Sequence, residues 1–188
     1  KTYLENGGHL FVTTDLTVST PNLDALLAEF GLSRTEGLVV EGDSSHSMNG
    51  YPTYLLPDYA SAVESGVLDN VDKNRGVLLQ MAQGIALTET EDVISEALLT
   101  TSAESYSKTA GYEMTTLTQE DGDPDGPFTL AVSITDSTAE GKIVWVASDY
   151  LLDDTYNSYS SGANLDLVMN GLSWMIGKND AVSIRAKS

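Results

Sequence analysis

The run KIVWVAS, residues 142–148, is the sequence feature that most constrains the fold. It is nearly all apolar, which is typical of a strand that is covered on both faces. A second strand is predicted at 128–135, and the short segment STAEG joins the two. The sequence therefore predicts a layered structure in which other elements pack on both sides of a sheet.

The first part of the chain predicts a strand, a helix and a second strand. Residues 9–14 form an apolar run that ends at Asp15, and residues 36–43 form the next strand. Between them, TPNLDALLAEFGL carries apolar residues at helical spacing before Gly31. This β–α–β order favours parallel strands joined by a right-handed crossover.

The last part predicts an amphipathic helix that Asn164 caps and Gly177 ends. Its apolar stripe has helical spacing and comprises Leu165, Val168, Met169, Leu172, Met175 and Ile176. A β-rich, irregular insertion is expected at about 44–120, with a short helix at 60–68. The predicted fold class is a single α/β domain over residues 1–188, with a mostly parallel layered sheet.

The charge of the chain excludes several classes of partner. With 28 acidic and 9 basic residues, the formal net charge is -19. A nucleic-acid backbone and an anionic membrane surface would both be repelled. No apolar run approaches the roughly 18 residues of a membrane span.

Catalytic and cofactor signals are missing from the sequence. There is no cysteine, which excludes thiolate catalysis and cysteine-ligated metal sites. Neither a nucleophile elbow nor a phosphate-binding glycine motif occurs, so no cofactor is expected and the chain is not expected to be an enzyme. A hydrolase using His46 with Ser44, Ser45 or Ser47 is the least favoured hypothesis, because neighbours in one loop rarely point at each other productively.

Three aspartates, Asp15, Asp43 and Asp149, each end a predicted strand. Ligands gather at the carboxyl ends of strands in open α/β sheets. Three carboxylates at one edge would repel one another and favour a divalent cation or a cationic ligand. The alternative is that each aspartate caps the helix or turn that follows it.

The segment DGDPDG resembles the opening of a calcium loop, with Asp121, Asp123 and Asp125 as metal ligands. The twelfth position of such a loop would be Val132 instead of glutamate, so the bidentate anchor is missing. A solvated loop is the alternative. Residues 150–162, YLLDDTYNSYSSG, form a tyrosine- and serine-rich loop that would bind a sugar or a partner protein, or be plain surface.

Four stretches together carry a family resemblance: YLENGGHLFVTTD, GPFTLAVSI, GKIVWVASDYLLDD and NLDLVMNGLSWMIGKNDAVSIRAKS. In this order and spacing they resemble the extracytoplasmic domain of the auxiliary component of the ABC-type transport system associated with gliding motility. The closing helix supplies Asn170, Leu172, Trp174 and Gly177 of the family pattern.

The resemblance implies a flavodoxin-like or glutamine-amidotransferase-like domain at the extracytoplasmic face of the bacterial cell membrane. Its partners would be the permease and ATPase subunits of the transporter, with a membrane helix outside this chain. Arg185 and Lys187 follow a predicted small edge strand at 181–184 and would then lie near the lipid headgroups. The alternative is that they are only the solvated end of that strand. Because the chain opens inside an apparent helix, it is expected to be a segment of a longer protein.

Two functional hypotheses are favoured over the hydrolase. The first is a non-catalytic domain that binds a partner subunit or an exported substrate through loops at the strand ends. The second is a small-ligand or divalent-metal-binding α/β module built on the three strand-end aspartates.

Overall fold

A mixed, mostly antiparallel sheet forms the centre of the computed structural model, which describes residues 1–177. The predicted edge strand at 181–184 and the two cations Arg185 and Lys187 lie outside the described residues.

The strands are β1 (His9–Thr13), β2 (Leu32–Arg34), β3 (Leu38–Val40), β4 (Tyr54–Leu55), β5 (Asp58–Tyr59), β6 (Leu79–Gln80), β7 (Ile85–Leu87), β8 (Val93–Thr100), β9 (Tyr106–Lys108), β10 (Thr129–Asp136) and β11 (Lys142–Val146). The α-helices are α1 (Thr2–Glu5), α2 (Pro21–Ala28), α3 (Asp154–Tyr159) and α4 (Ala163–Met175). Short 3-10 helices lie at Ser44–His46, Met48–Gly50, Gly111–Glu113 and Asp149–Leu152.

Strand β11 lies between β1 and β10. It pairs in parallel with β1, from Lys142 opposite His9 to Val146 opposite Thr13, and antiparallel with β10. Strand β10 also pairs antiparallel with β8 and, at Thr129, with β7, which in turn pairs with β2. Within residues 1–177, every strand pair other than β1–β11 is antiparallel.

The predicted flavodoxin-like or glutamine-amidotransferase-like sheet, mostly parallel, is wrong. Strand β3 does not lie beside β1, because it pairs antiparallel with β9 in a separate two-stranded sheet. After α2, Gly31 adopts a φ of +74° and the chain enters β2 at once. Since β2 pairs antiparallel with β7, α2 leads into a reversal instead of a crossover to a parallel strand.

The middle of the chain contributes to the central sheet. Strand β8, which falls inside the predicted insertion at 44–120, pairs with β10 from Val93 to Thr100. The predicted helix at 60–68 does not form, and the backbone there is a series of turns and bends. Strands β4 and β6 form a further two-stranded sheet.

The prediction that β11 is covered on both faces is confirmed. On one face Trp145 is fully buried with Leu27 of α2, and its indole Nε1 donates to Thr14 Oγ1 at 3.0 Å. On the other face Val144 packs in the same cluster as Trp174 of α4. The apolar run therefore forms the middle layer of the core, as its composition predicts.

Helix α4 begins close to its predicted start, but its N-cap residue is Gly162 and not Asn164, which lies inside the helix. Of the predicted stripe, only Val168 and Met175 are buried. Leu165, Leu172 and Ile176 of the predicted stripe are 53%, 41% and 62% exposed. The buried face includes the fully buried Asn164 and the small residue Gly171, where an added Cβ would lie 3.0 Å from a ring carbon of Phe11. Close approach of the helix to the sheet at Gly171 therefore selects the buried face. Apolar spacing alone does not select it.

Candidate functional site

The carboxyl ends of β1 and β11 meet at one edge of the sheet because these two strands are parallel. Asp15 follows β1, and Asp149 begins the 3-10 helix that follows β11. Burial and, after it, the negative charge of Asp15 raise the pKa of Asp149. The structure therefore brings together two of the three predicted strand-end aspartates.

Asp43 has a different environment. Its carboxylate caps the 3-10 helix Ser44–His46 by accepting from the main-chain N of Ser45 at 2.8 Å. The two ring nitrogens of His46 lie 2.9 Å from Asp43 and 3.1 Å from Asp58. Burial alone would lower the pKa of His46, but the hydrogen bonds to these two carboxylates raise it. Asp43 therefore has a hydrogen-bonding partner of its own in His46.

The same contacts decide the chemistry of the serine and histidine pair. Ser45 Oγ lies 3.1 Å from His46 Nδ1, but that nitrogen also faces Asp43 and the other nitrogen faces Asp58. Both ring nitrogens are therefore engaged by carboxylates, and neither is placed to take a proton from the serine. This geometry favours a structural role for Ser45 and His46 over a catalytic one.

The predicted calcium ligands Asp121, Asp123 and Asp125 have three different environments. Asp123 is buried, and its carboxylate accepts from Lys108 Nζ at 2.6 Å. The hydrogen bond from Lys108 is the main reason that the pKa of Asp123 lies well below its usual range. Asp121 is exposed, and Asp125 accepts from Gln119 at 2.7 Å. In the described part of the chain, no group of three or more acidic or histidine side chains is arranged to hold a metal ion.

A cluster of five tyrosines lies near the Asp15 and Asp149 pair, and we call it the tyrosine surface. It consists of Tyr51, Tyr54, Tyr150, Tyr156 and Tyr159. The ring centroid of Tyr54 lies 5.6 Å from that of Tyr51 and 5.9 Å from that of Tyr156. The ring centroid of Tyr156 lies 4.9 Å from that of Tyr150 and 6.4 Å from that of Tyr159.

Two stretches of the chain, 51–54 and 150–159, supply these rings, and β6 holds both of them in place. Tyr54 in β4 is paired with Gln80 in β6. The hydroxyl of Tyr156 donates to the side-chain oxygen of the same Gln80, and Ser148 Oγ donates to its main-chain oxygen. Asp153 caps α3 by accepting from Thr155 N at 2.7 Å, which fixes the helix that carries Tyr156.

The tyrosine surface combines exposed aromatic area with negative charge. Tyr51 and Tyr159 are 62% and 57% exposed, whereas the rings between them are half-buried. Burial raises the pKa of Tyr150, and the negative charges of Asp149 and Asp15 raise it further. The phenol of Tyr150 is therefore a neutral hydrogen-bonding group beside two carboxylates.

Sequence reasoning found only part of this site. The loop 150–162 was recognisable from its tyrosines and serines, and Asp15 and Asp149 from their places after apolar strands. Tyr51 and Tyr54 lie in a polar segment with no periodic pattern. Their pairing with the loop depends on the β4–β6 contact, which no local pattern indicates.

Comparisons with known proteins inform the fold alone. No family model matches the chain. No curated protein matches it. Among six matching solved chains is an "mmIFT52 N-terminal domain", with a TM-score of 0.63 and 13% identity over 98% of this chain and 70% of that one. This likeness agrees with the mixed, mostly antiparallel sheet and overturns the flavodoxin-like prediction.

Among the described residues 1–177, none of the helices has both the length and the apolar character that a membrane span requires.

Proposed function

We propose that this chain is a non-catalytic binding domain and that a partner protein docks on the tyrosine surface. The observation that carries the proposal is the continuous contact of five tyrosine rings from two distant stretches of the chain, with the two outer rings more than half exposed. Tyrosine is enriched at the centres of protein interfaces, where it contributes a large share of the binding energy.

The construction of the surface supports this role. A tyrosine offers a large contact area and a polar tip at the cost of only two side-chain torsions. The half-buried rings in the middle are fixed by Gln80 and by ring contacts, so little further ordering is needed when a partner binds. The chain has nine tyrosines, and more than half of them lie in this one cluster.

The sequence resemblance supplies a cellular setting for this proposal. In that setting the domain lies at the extracytoplasmic face of the membrane, and its partner is a subunit or an exported substrate of an ABC transporter. This setting stays a prediction that depends on the resemblance alone, and the tyrosine surface would serve a partner in any compartment.

Selection of random peptides displayed on phage tests the binding proposal without knowledge of the partner. Peptides are selected on the wild-type domain, and their affinities are compared for the wild type, a Tyr51→Ala and Tyr159→Ala double variant, and Tyr3→Ala. Tyr3 is the control because it is 67% exposed and lies outside the cluster. We expect the double variant to bind the selected peptides about ten-fold more weakly, and Tyr3→Ala to bind like the wild type.

Two results would contradict the proposal. One is that selection yields no peptide, or only peptides that bind all three proteins equally. The other is that a glycan array shows carbohydrate binding that the double variant loses, because the surface would then serve a sugar instead of a protein.

A further inference from the structure

Within the proposed function, we infer that the docking segment carries a lysine or arginine side chain, which Asp15 and Asp149 receive beside the tyrosine surface. The inference therefore depends on that surface being a protein-binding site, and it specifies the chemistry of the partner.

The position of the two carboxylates is the first reason. Parallel pairing of β1 with β11 places Asp15 and Asp149 at the same edge of the sheet, next to Tyr150. Asp153, at the N-cap of α3, adds a third negative charge on the side of Tyr156. A cationic side chain that lies over the tyrosine rings would meet these carboxylates with its charged end.

The lack of a counter-charge is the second reason. In the described part of the chain, neither Asp15 nor Asp149 takes part in an ion pair. Arg34 reaches only the main-chain oxygen of Asp15, at 3.3 Å, and forms its ion pair with Asp24 at 2.9 Å. Two like charges near each other disfavour the ionised pair, and a cation from a partner relieves that repulsion.

The aromatic rings and the net charge point to the same partner. Lysine and arginine are attracted to the faces of tyrosine rings, so one cationic side chain satisfies both halves of the site. A net charge of -19 repels an acidic segment and speeds the encounter with a basic one. The complementary occupant is therefore a basic peptide segment of a partner protein.

Matched charge variants test the inference with the peptides selected on the wild-type domain. One protein carries Asp15→Asn and Asp149→Asn. The control carries Glu89→Gln and Glu91→Gln, which remove the same two charges from an exposed turn before β8. In each peptide, arginine is replaced by citrulline or lysine by acetyl-lysine, so that the charge is lost and the shape is nearly kept.

We expect the selected peptides to be rich in lysine and arginine. We also expect the aspartate variant to bind them about ten-fold more weakly in low salt, and the control less than two-fold more weakly. Neutralised peptides should lose affinity for the wild type but not for the aspartate variant. Thermal unfolding should show that the aspartate variant is folded, because an asparagine oxygen at position 15 can still accept from Thr17.

The results separate the inference from the proposed function. Neutral peptides that bind in a tyrosine-dependent way would overturn the inference and leave the binding function intact. Equal weakening in the aspartate variant and the control would also overturn it, because the attraction would then be a property of the whole charge. If no peptide binds through the tyrosines, the proposed function itself fails.

Discussion

Asn164 connects α4 to the segments that carry the tyrosine surface, and its replacement gives a quantitative test of the structure. The side chain is fully buried. Its Oδ1 accepts from the main-chain N of Leu78 at 2.9 Å, and its Nδ2 donates to the main-chain O of Leu78 at 2.9 Å and of Leu151 at 3.4 Å. Leu78 precedes β6 and Leu151 follows Tyr150, so one carboxamide joins the helix to both segments.

The expected cost of Asn164→Ala follows from these hydrogen bonds. The amide and the carbonyl of Leu78 would remain in the interior without this partner. Each such group costs about 1–3 kcal/mol, so the free energy of unfolding should fall by about 2–6 kcal/mol. Water that enters the vacated volume recovers part of this loss, and we therefore expect about 3 kcal/mol. In a domain of this size, that is a fall of about 6–12 °C in the thermal midpoint.

Urea denaturation followed by circular dichroism measures this loss. Asn22→Ala is the control, because Asn22 is exposed on α2, and its effect should stay within about 0.5 kcal/mol. Asn164→Asp keeps the shape and one acceptor but turns a carboxylate towards the carbonyl of Leu78, so at neutral pH it should cost more than alanine. A loss below about 1 kcal/mol for Asn164→Ala would refute the reasoning.

Two further predictions concern the charged groups that the structure pairs. Lys108→Met should lower the thermal midpoint of unfolding measured by calorimetry, because it leaves the buried Asp123 carboxylate without its cation. Adding Asp123→Asn should restore part of the loss. An unchanged midpoint in Lys108→Met would contradict a stabilising role for this ion pair. The pKa of His46 is raised by Asp43 and Asp58 despite burial, so its stabilisation should be complete below about pH 6.5 and be lost as the pH rises through the raised pKa. The difference in thermal midpoint between the wild type and His46→Gln should shrink as the pH rises through the pKa of His46. A difference that stays constant with pH would argue against the pairing of His46 with Asp43 and Asp58.

Local sequence patterns predicted the central strands but not their partners. The apolar runs at β10 and β11 identify themselves because a buried strand needs apolar side chains on both faces. Pairing depends on contacts between distant segments, and the same apolar run fits a parallel or an antiparallel neighbour. The turn at Gly31 decides the case here, because it sends the chain from α2 into β2 without a crossover.

The helix α4 shows a second limit of pattern-based prediction. Its apolar residues fit two overlapping faces, and the predicted stripe is only partly buried: Val168 and Met175 lie in the core, whereas Leu165 and Leu172 stay exposed. Polar and small residues select the other face: Asn164 makes three hydrogen bonds in the interior, and Gly171 admits Phe11. A hydropathy pattern gives no weight to either of these contacts.

Two of the three predicted strand-end aspartates lie at one edge of the sheet although the predicted fold was wrong, and their role in binding a ligand stays a prediction. The rule that ligands gather at the carboxyl ends of strands depends only on parallel neighbours that end at one edge. Strands β1 and β11 meet that condition, so Asp15 and Asp149 come together, whereas Asp43 follows a strand in another sheet and pairs with His46. The two aspartates therefore come together because of one parallel strand pair, β1 with β11. The tyrosine surface lies beside the end of that pair. A partner that recognises both the rings and the two carboxylates would therefore bind at this edge, where Asp15 and Asp149 form no ion pair with any described residue.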